Sequence, residues 1–398
     1  MTKPERIFFD FVQKYICLIT ISAVTILGLI IRIFGADFQS DDYQSFLSVW
    51  WTQIEYNGIE GLGQQVGNYN IPYQIIIYLL TLLPIGPLMS YKLVSIVFDI
   101  VLAFSAGLLV YSFGNKSKFR AVLAYSLTFC SLTVIFNSSF WAQCDSIYVS
   151  FILLAIYFLH KDKSVASFVM LGIAFAFKLQ TIFIFPVFLF YYIATRKISI
   201  LHFFIIPIAD IIMCVPALIF GRNPLDLITI YLEQTDYGKL IQMNCPNIYA
   251  FMCDGSDMTY YYLFKNMSMI LTLTILGIAL CMIIYKKVDL TDTNKFLLTS
   301  IWSVFTCIMF FSSMHERYSY LLDILLIVFV ILTAKHYWVA IACNLISLSG
   351  YCFYLFGNYR ALDLKVMAVI YLAVYAYVTY VFVKDVVMNN TQTKRITQ

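Results

Sequence analysis

Two neighbouring acids, Asp41 and Asp42, follow the first long apolar stretch and precede a run at 43–51 that is rich in aromatic residues. A carboxylate beside a bilayer can take the proton from an acceptor hydroxyl, which is the chemistry of a general base. Acids are also common in the first turn of a helix or solvated in a loop, and this ordinary role is the alternative. Because neighbouring side chains diverge, we expect one acid to act, with Asp42 first and Asp41 second.

Three titratable residues, His315, Glu316 and Arg317, occupy one short connection, and Lys178 lies alone in the apolar segment FAFKLQTIF. An arginine binds phosphate oxygens with a bidentate fork, and a lysine supplies a point charge. Arg317 and Lys178 therefore predict a site that stabilises the leaving phosphate of a lipid-linked donor. The alternatives are a lysine that reaches toward the membrane surface and a histidine that donates to phosphate or sugar or only caps a turn.

Trp141, Gln143 and Asp145 begin another apolar run. An aromatic ring beside an amide and a carboxylate is a common way to hold a sugar, whose apolar face packs on the ring. An acid at a helix N-terminus is equally common without any ligand. Trp50 and Trp51 allow two interpretations as well: sugar contact or, more simply, a membrane-interface belt.

The composition indicates a polytopic membrane protein. Of 398 residues, 61% are hydrophobic and 12% charged, whereas a soluble domain has about 25% charged residues. The formal net charge of +4 does not indicate nucleic-acid binding, because the basic residues lie in short loops between apolar runs. We expect no cleaved signal peptide and, from the cysteine spacing, no metal site. Cys245 and Cys253 share one loop and are candidates for a disulfide.

Twelve apolar runs are long enough, or nearly so, to cross a bilayer. They predict an all-α bundle of about 12 helices (11 to 13) in a single membrane domain covering 1–398. The runs are 15–34, 88–113, 119–136, 147–159, 164–177, 181–194, 198–220, 267–285, 296–313, 318–333, 337–356 and 366–383. The fourth to sixth are short for a full span, which is tolerated around a protein cavity. A further run, 71–83, lies between prolines and predicts a re-entrant or interfacial element.

Twelve crossings put both termini on one side of the membrane, and the basic residues indicate which side. Most of the 26 Lys and Arg fall in the short connections on the N-terminal side, so the positive-inside rule predicts cytoplasmic termini. The polar clusters described above then share the outer face. That face also has two long loops, 35–87 and 221–266, the first with five acids and no Lys or Arg and expected to be partly helical.

Three acids, Asp99, Asp210 and Asp323, lie inside predicted spans. An acid at mid-membrane costs ~2.5–3.5 kcal/mol, so each should face the bundle interior. Lys92 lies two turns from Asp99 on one helix face, which favours a structural polar network. A proton relay is the alternative and would indicate a transporter.

Six motifs in chain order resemble the GT-C glycosyltransferase superfamily, most closely its bacterial branch related to the second mannosyltransferase of GPI-anchor synthesis. They are SDDYQSFLSVW at 40–50, NYNIPY at 68–73, WAQCD at 141–145, FKLQ at 177–180, NCPN at 244–247 and HERY at 315–318. The chain departs from these enzymes at Ala142, where they often carry Gly, and at Asp41, which is a second acid. We expect no soluble C-terminal domain like that of the larger members.

The resemblance implies an inverting, metal-independent transferase without a cofactor, which moves one sugar from a polyprenyl-phosphate monosaccharide to an extracytoplasmic acceptor, such as a cell-surface glycan. Asp42, or Asp41, would be the base, and Lys178, His315 and Arg317 would surround the donor phosphate. The residues that would contact sugar or acceptor are Asn70, Trp141, Gln143, Asp145, Gln180, Asn244, Asn247 and Glu316. The expected partners are the lipid-linked donor, the acceptor and membrane lipid, and not nucleic acid.

Two other functions stay open. A polymerase or ligase acting on lipid-linked oligosaccharide usually needs several arginines on the outer face. The arginines available there are Arg222, Arg317 and Arg360. A carrier or flippase predicts polar groups along a path from both faces and often an inverted repeat, and the sequence indicates neither.

Overall fold

The structure, a computed structural model, describes residues 1–236, 238–252, 259–357 and 362–389. Every regular element in these ranges is a helix. The α-helices are α1 (Lys3–Ile33), α2 (Ser48–Asn57), α3 (Ile71–Thr81), α4 (Pro87–Phe113), α5 (Lys118–Phe129), α6 (Leu132–Ile135), α7 (Asp145–His160), α8 (Ser164–Phe177), α9 (Phe185–Thr195), α10 (Ile205–Ile219), α11 (Asp226–Thr235), α12 (Tyr261–Tyr285), α13 (Thr293–Phe310), α14 (Tyr320–Thr333), α15 (Tyr337–Leu355) and α16 (Leu364–Val381).

The lengths of these helices identify a membrane protein but do not test the number of crossings. Within the described ranges, seven helices are long and apolar enough to span a membrane, or eight if the bent pair α5 and α6 is one span. All twelve apolar runs are helical, yet α7, α8 and α14 contain only 16, 14 and 14 residues. The all-helical class is confirmed, and twelve crossings stay a prediction.

The first helix starts twelve residues earlier than its apolar run. A capping box explains this start: the Thr2 backbone N–H donates to the Glu5 carboxylate at 2.6 Å, and the Glu5 N–H donates to the Thr2 hydroxyl at 3.5 Å. The 31 residues of α1 span roughly 46 Å at about 1.5 Å per residue. This length exceeds the ~30 Å hydrocarbon core of a bilayer, so α1 is longer than a single crossing requires.

The run predicted at 119–136 is broken rather than continuous. Helices α5 and α6 meet at 47°, and a π-helical turn, Phe136–Phe140, follows α6 directly. Single π-turns are rare and occur mostly near functional sites. The bend carries the chain back into the bundle and leaves Trp141 buried just before α7.

The segment between α1 and α4 folds back onto the bundle. The Lys92 ammonium, buried on α4, donates to the carbonyl of Gly35 at 2.6 Å and to that of Phe38 at 2.5 Å. The hydroxyl of the preceding residue, Tyr91, donates to the Leu47 carbonyl at 2.9 Å. Helix α4 therefore fixes both ends of the stretch that carries Asp41 and Asp42.

The structural role expected of Asp99 is observed, with a different partner from the one predicted. Its carboxylate pairs with Arg32 of α1 at 2.8 Å and accepts from the Ser138 hydroxyl at 2.6 Å. Asp210 on α10 accepts from the Tyr231 hydroxyl of α11 at 3.1 Å, and Asp323 is fully buried on α14. A buried acid needs such partners, so Asp99 and Asp210 have structural explanations.

Helices α7, α13 and α14 form the centre of the bundle, where most of their side chains are buried, and α4 buries 12 of its 27 residues beside them. Helix α3, formed by the run 71–83, packs against α2, α8 and α10 rather than standing alone. The central helices end at one common region, since α7 begins with Asp145 and the connection from α13 to α14 contains His315, Glu316 and Arg317. This region contains the candidate site.

Candidate active site

A cavity of about 480 Å³ lies where these helix ends meet, a size typical of small-molecule sites. Its walls come from segments far apart in the sequence: the start of α2, the turns before α3 and α7, the connection after α8, helices α11 and α12, the connection before α14, and the end of α15. The predicted site residues that line it are Asp42, Trp141, Gln143, Lys178, Gln180, His315, Glu316 and Arg317.

The Asp42 carboxylate accepts three hydrogen bonds at the cavity wall. The Trp141 indole and the Gln143 amide donate to Oδ2, each at 2.8 Å, and the Tyr354 hydroxyl donates to Oδ1 at 2.5 Å. All three donors are neutral, so they orient the carboxylate without adding a charge beside it. Asp41 is exposed and is not among the lining residues. Of the two acids, Asp42 has the position of a general base.

The local backbone explains why Asp42 faces inward. Asp42 precedes the π-helical turn Tyr43–Leu47, and its side chain makes no capping bond. Ser40 accepts from the Tyr43 N–H at 3.2 Å instead, and the Ser40 hydroxyl donates to the Trp141 carbonyl at 3.1 Å. The helix-capping alternative for Asp42 is therefore wrong, because the Ser40 side chain, and not that of Asp42, accepts the backbone N–H at the start of this helix.

Gln143 joins the carboxylate to the nearest cation. Its Nε2 donates to Asp42, while its Oε1 accepts from the Tyr69 hydroxyl at 2.5 Å and from Arg317 Nη1. Arg317 also lies 5.5 Å from the centre of the Trp141 ring, within cation–π range. Burial raises the pKa of Tyr69, which keeps the phenol a neutral donor. One amide thus fixes a base and a guanidinium at neighbouring points of the wall.

Lys178 reaches the cavity with its charge already paired. Its ammonium binds Asp145 Oδ1, and the Asn137 amide donates to the other carboxylate oxygen at 2.7 Å. Both side chains of the ion pair are nearly fully buried, at 6% and 2% exposure. Asp145 is not among the lining residues and pairs with Lys178, so its sugar contact stays a prediction.

His315 is neutral at physiological pH. Desolvation, with the adjacent Arg317 charge, lowers the pKa of His315 to about 3. Its ring can therefore donate or accept a hydrogen bond but brings no charge to a phosphate. The turn-capping alternative is not observed, because His315 makes no side-chain cap to the helical turn Glu316–Ser319. Backbone bridges from Met243 and Asn244 hold it instead.

The three predicted asparagines lie behind the wall rather than in it. Asn247 donates to the carbonyls of Ile308 and Phe311 at 3.2 and 3.1 Å, which closes the C-terminus of α13. Asn70 accepts from the Gln234 amide at 2.9 Å, and Asn244 pairs through its backbone with His315. These contacts support the wall segments, and none of the three asparagines is among the lining residues. Their contact with sugar or acceptor stays a prediction.

Trp141 is only 1% exposed, and its ring stacks on Tyr354 at 4.3 Å between centroids. It holds Asp42 through its indole and offers little face to a sugar. Trp50 lines the cavity, and its ring lies against Gly67, where a Cβ atom would come within 2.3 Å. Trp51 packs on Tyr91 at 5.9 Å, away from the cavity.

Sequence reasoning missed Tyr69 and Tyr354, two lining residues whose hydroxyls donate to Gln143 and Asp42. Tyr69 stands inside the quoted motif NYNIPY, between the two asparagines, and that motif was the available signal. Tyr354 lies near the end of α15 outside every motif, and no sequence signal marks it. One departure from the resembling enzymes lies at a position where glycine is the better suited residue. Ala142 has φ +60°, a left-handed conformation that favours glycine. The disulfide predicted between Cys245 and Cys253 involves a residue outside the described ranges.

No known protein family and no curated protein sequence matches the chain. The likeness to GT-C enzymes therefore rests on the six motifs alone.

Proposed function

We propose that this chain is a GT-C type integral membrane glycosyltransferase that transfers one sugar, with inversion, from a polyprenyl-phosphate monosaccharide to an acceptor hydroxyl. In this proposal the bundle crosses the membrane twelve times, both termini are cytoplasmic, and the cavity opens on the extracytoplasmic side. The acceptor is a glycan of the cell surface. Neither a metal nor a cofactor takes part, and this expectation stays a prediction.

The observation that carries the proposal is the bridge from Asp42 through the Gln143 amide to Arg317. Transfer of a sugar from a phosphate needs a base for the incoming hydroxyl and a positive charge for the departing phosphate, with one sugar ring between them. A carboxylate and a guanidinium held by opposite ends of one side-chain amide fit this requirement.

The reaction would proceed as a single displacement. Asp42 takes the proton of the acceptor hydroxyl while that oxygen forms a bond to the anomeric carbon of the donor sugar. The bond between the anomeric carbon and the phosphate oxygen breaks, and its electron pair leaves with the polyprenyl phosphate. The carboxylic acid on Asp42 then releases its proton to water. Attack opposite the leaving group inverts the anomeric configuration.

The developing charge on the phosphate would be stabilised by Arg317 and Lys178. Arg317 has further N–H donors besides the one bound to Gln143, and these can form the bidentate pair that phosphates favour. Lys178 contributes less net charge because Asp145 already pairs with it. His315 is neutral and can donate one hydrogen bond to a phosphate or a sugar oxygen. The leaving group is thus stabilised chiefly by Arg317.

The rival functions have less support from the same residues. Among the described residues, Arg317 is the one arginine that lines the cavity. Arg222 is buried and paired with Asp226 at 2.9 Å, and Arg360 lies outside the described ranges. A polymerase or ligase that needs several arginines therefore finds only Arg317 in the part of the cavity wall that the structure describes. A carrier has less support because two of the three acids inside the predicted spans, Asp99 and Asp210, are tied to structural partners.

The test is transfer by protein purified into nanodiscs, with radiolabelled polyprenyl-phosphate sugars, a cell-envelope acceptor and EDTA. Asp42→Asn is compared with the matched neighbour variant Asp41→Asn. We expect Asp42→Asn to lose about 10²- to 10⁴-fold in rate, the usual contribution of a general base, and Asp41→Asn to stay within about twofold. Equal rates in both variants and the wild type would contradict the proposal, as would loss of transfer in EDTA.

A further inference from the structure

The hydrogen bonds to Asp42 leave one free position on its carboxylate, and that position is next to Tyr354. A carboxylate has about four lone-pair sites on its two oxygens. Trp141 and Gln143 both donate to Oδ2, and the Tyr354 hydroxyl alone donates to Oδ1. An incoming hydroxyl that gives its proton to Asp42 therefore meets Oδ1 beside the phenol.

The Tyr354 side chain is held independently of Asp42. Its ring stacks on Trp141 with an interplanar angle of 14°, and Tyr351, one turn earlier on α15, packs edge-on against the same indole at 5.1 Å. The phenol also lines the cavity. Helix α15 thus contributes a rigid donor to a carboxylate that belongs to a segment about 300 positions earlier in the chain.

The two oxygens of Asp42 also point to different partners in the wall. Oδ2 is tied to Gln143, and Gln143 is tied to Arg317, where the proposed phosphate leaves. Oδ1 is tied to α15, away from that amide. An in-line displacement needs its incoming and leaving oxygens on opposite sides of the anomeric carbon. Tyr354 and Arg317 are the two ends of the series of hydrogen bonds that passes through Asp42 and Gln143, which gives the incoming and the leaving oxygen different partners.

Resting on the proposed function, we infer that Tyr354 is a positioning residue, which directs Asp42 Oδ1 toward the acceptor and shares that oxygen with the acceptor hydroxyl. The acceptor subsite then runs along the end of α15 and the start of α2. Phe46 and Trp50 line the cavity there and offer apolar rings. The ligand chemistry that suits this subsite is a sugar ring with one hydroxyl presented to Oδ1 and a CH face packed on an aromatic side chain.

Other charges also act on Asp42 and must stay constant in a test. The charged and titratable groups that face it are His315 and Arg317, with Lys178, Glu316 and Tyr69 in the same wall. Helix α15 faces it with Tyr354. Replacing Tyr354 by Phe leaves all the other groups in place and keeps the aromatic stack, so a change in pH dependence reports on the phenol hydroxyl.

The experiment compares pH–rate profiles of the wild type and Tyr354→Phe, with separate kcat and KM values for donor and acceptor. Loss of one hydrogen bond to the charged carboxylate favours its protonated form. We expect the acidic limb of the profile to move up by about one pH unit. The acceptor KM should rise several-fold, and the donor KM should not change. Tyr371→Phe, which removes a buried hydroxyl from α16, is the matched control and should leave the profile unchanged.

The outcomes separate this inference from the proposed function. If Asp42→Asn is inactive and Tyr354→Phe keeps the wild-type profile and acceptor KM, the role of Tyr354 is wrong and the transferase proposal stands. If Asp42→Asn retains wild-type activity, the proposed function itself fails. Inhibition by free polyprenyl phosphate serves as the folding check, because an unchanged inhibition constant in Tyr354→Phe shows an intact donor site. A donor KM that rises together with the acceptor KM would also overturn the acceptor-side assignment.

Discussion

The two sides of the cavity hold their charges in opposite ways. Asp42 is surrounded by neutral donors from an indole, an amide and a phenol. Lys178, on the other side, has its charge paired with the buried Asp145. A base must stay able to accept a proton, which neutral donors allow, whereas a buried lysine needs a counter-ion to stay charged. Arg317 belongs to neither arrangement, because its nearest partner is the neutral Gln143.

This comparison predicts that Arg317 carries most of the phosphate stabilisation. Arg317→Gln should lower kcat/KM for the donor by about 10²- to 10³-fold, as loss of one preorganised donor does in other enzymes. Arg317→Lys should recover part of that loss, because it keeps the charge but not the fork. Lys239→Gln, at an exposed lysine outside the cavity wall, is the control. Equal rates for Arg317→Gln and Lys239→Gln would contradict the role of Arg317.

The ion pair on the other side should matter more for stability than for chemistry. Asp145→Asn leaves Lys178 buried without its counter-ion, which costs ~3–5 kcal/mol in comparable pairs. The double variant Asp145→Asn/Lys178→Gln should recover most of that free energy of unfolding while transfer stays impaired. Denaturant unfolding in detergent measures the coupling. The partly exposed pair of Asp236 and Lys265 is the control, and its coupling free energy should be about 1 kcal/mol or less. A coupling free energy of the same size in both pairs would contradict the larger contribution expected of Lys178 and Asp145.

The pH dependence of the free energy of unfolding tests the surroundings of His315 in the cavity wall. Its pKa is about 3 in the folded protein against a usual 6.5, so the unfolded chain binds the extra proton between these values. Stability is therefore complete above pH 6.5 and falls as the pH drops toward 3. At pH 5 this effect amounts to about 2 kcal/mol. His315→Gln should remove that part of the pH dependence, as followed by unfolding at pH 7 and pH 5. An unchanged slope in the variant would show that the ring is already protonated at pH 5.

The smallest effect is expected at Ala142, which lies between Trp141 and Gln143, two of the three residues that donate to Asp42. A left-handed conformation costs a non-glycine residue about 1–2 kcal/mol, and removing one buried methyl costs about 0.8 kcal/mol. Ala142→Gly should therefore stabilise the protein by roughly 0.5 kcal/mol, with unchanged kcat. Ala174→Gly, in the buried interior of α8, should instead destabilise by about 1 kcal/mol. Destabilisation of equal size in both variants would exclude strain at Ala142.

Local sequence patterns sufficed for the helices and for part of the cavity wall. Apolar runs predicted every long helix, because burial in lipid or in the bundle needs the same side chains. Asp42, Lys178 and Arg317 were found because charged residues are rare in such a chain. The start of α1 was missed, since a capping box outweighed the polar composition of its first turns.

The roles inside the cavity could not be read in this way, because they depend on contacts between distant segments. Asp145 and Asn247 have the residue types of sugar ligands, yet one binds Lys178 and the other binds the end of α13. Tyr354 is one of 30 tyrosines and is singled out only by the packing of α15 against the turn that follows α6. Sequence position alone indicates neither relationship.

The most direct test of the central claim is the fate of the donor in a reaction with purified wild-type protein in nanodiscs. Doubly labelled polyprenyl-phosphate sugars would be supplied with an envelope acceptor, and released polyprenyl phosphate would be measured against sugar incorporated. The anomeric configuration of the product would be determined by NMR. Our account predicts one polyprenyl phosphate released per sugar transferred, with the configuration inverted. Retention of configuration, or movement of the intact donor across the membrane without release of polyprenyl phosphate, would contradict it.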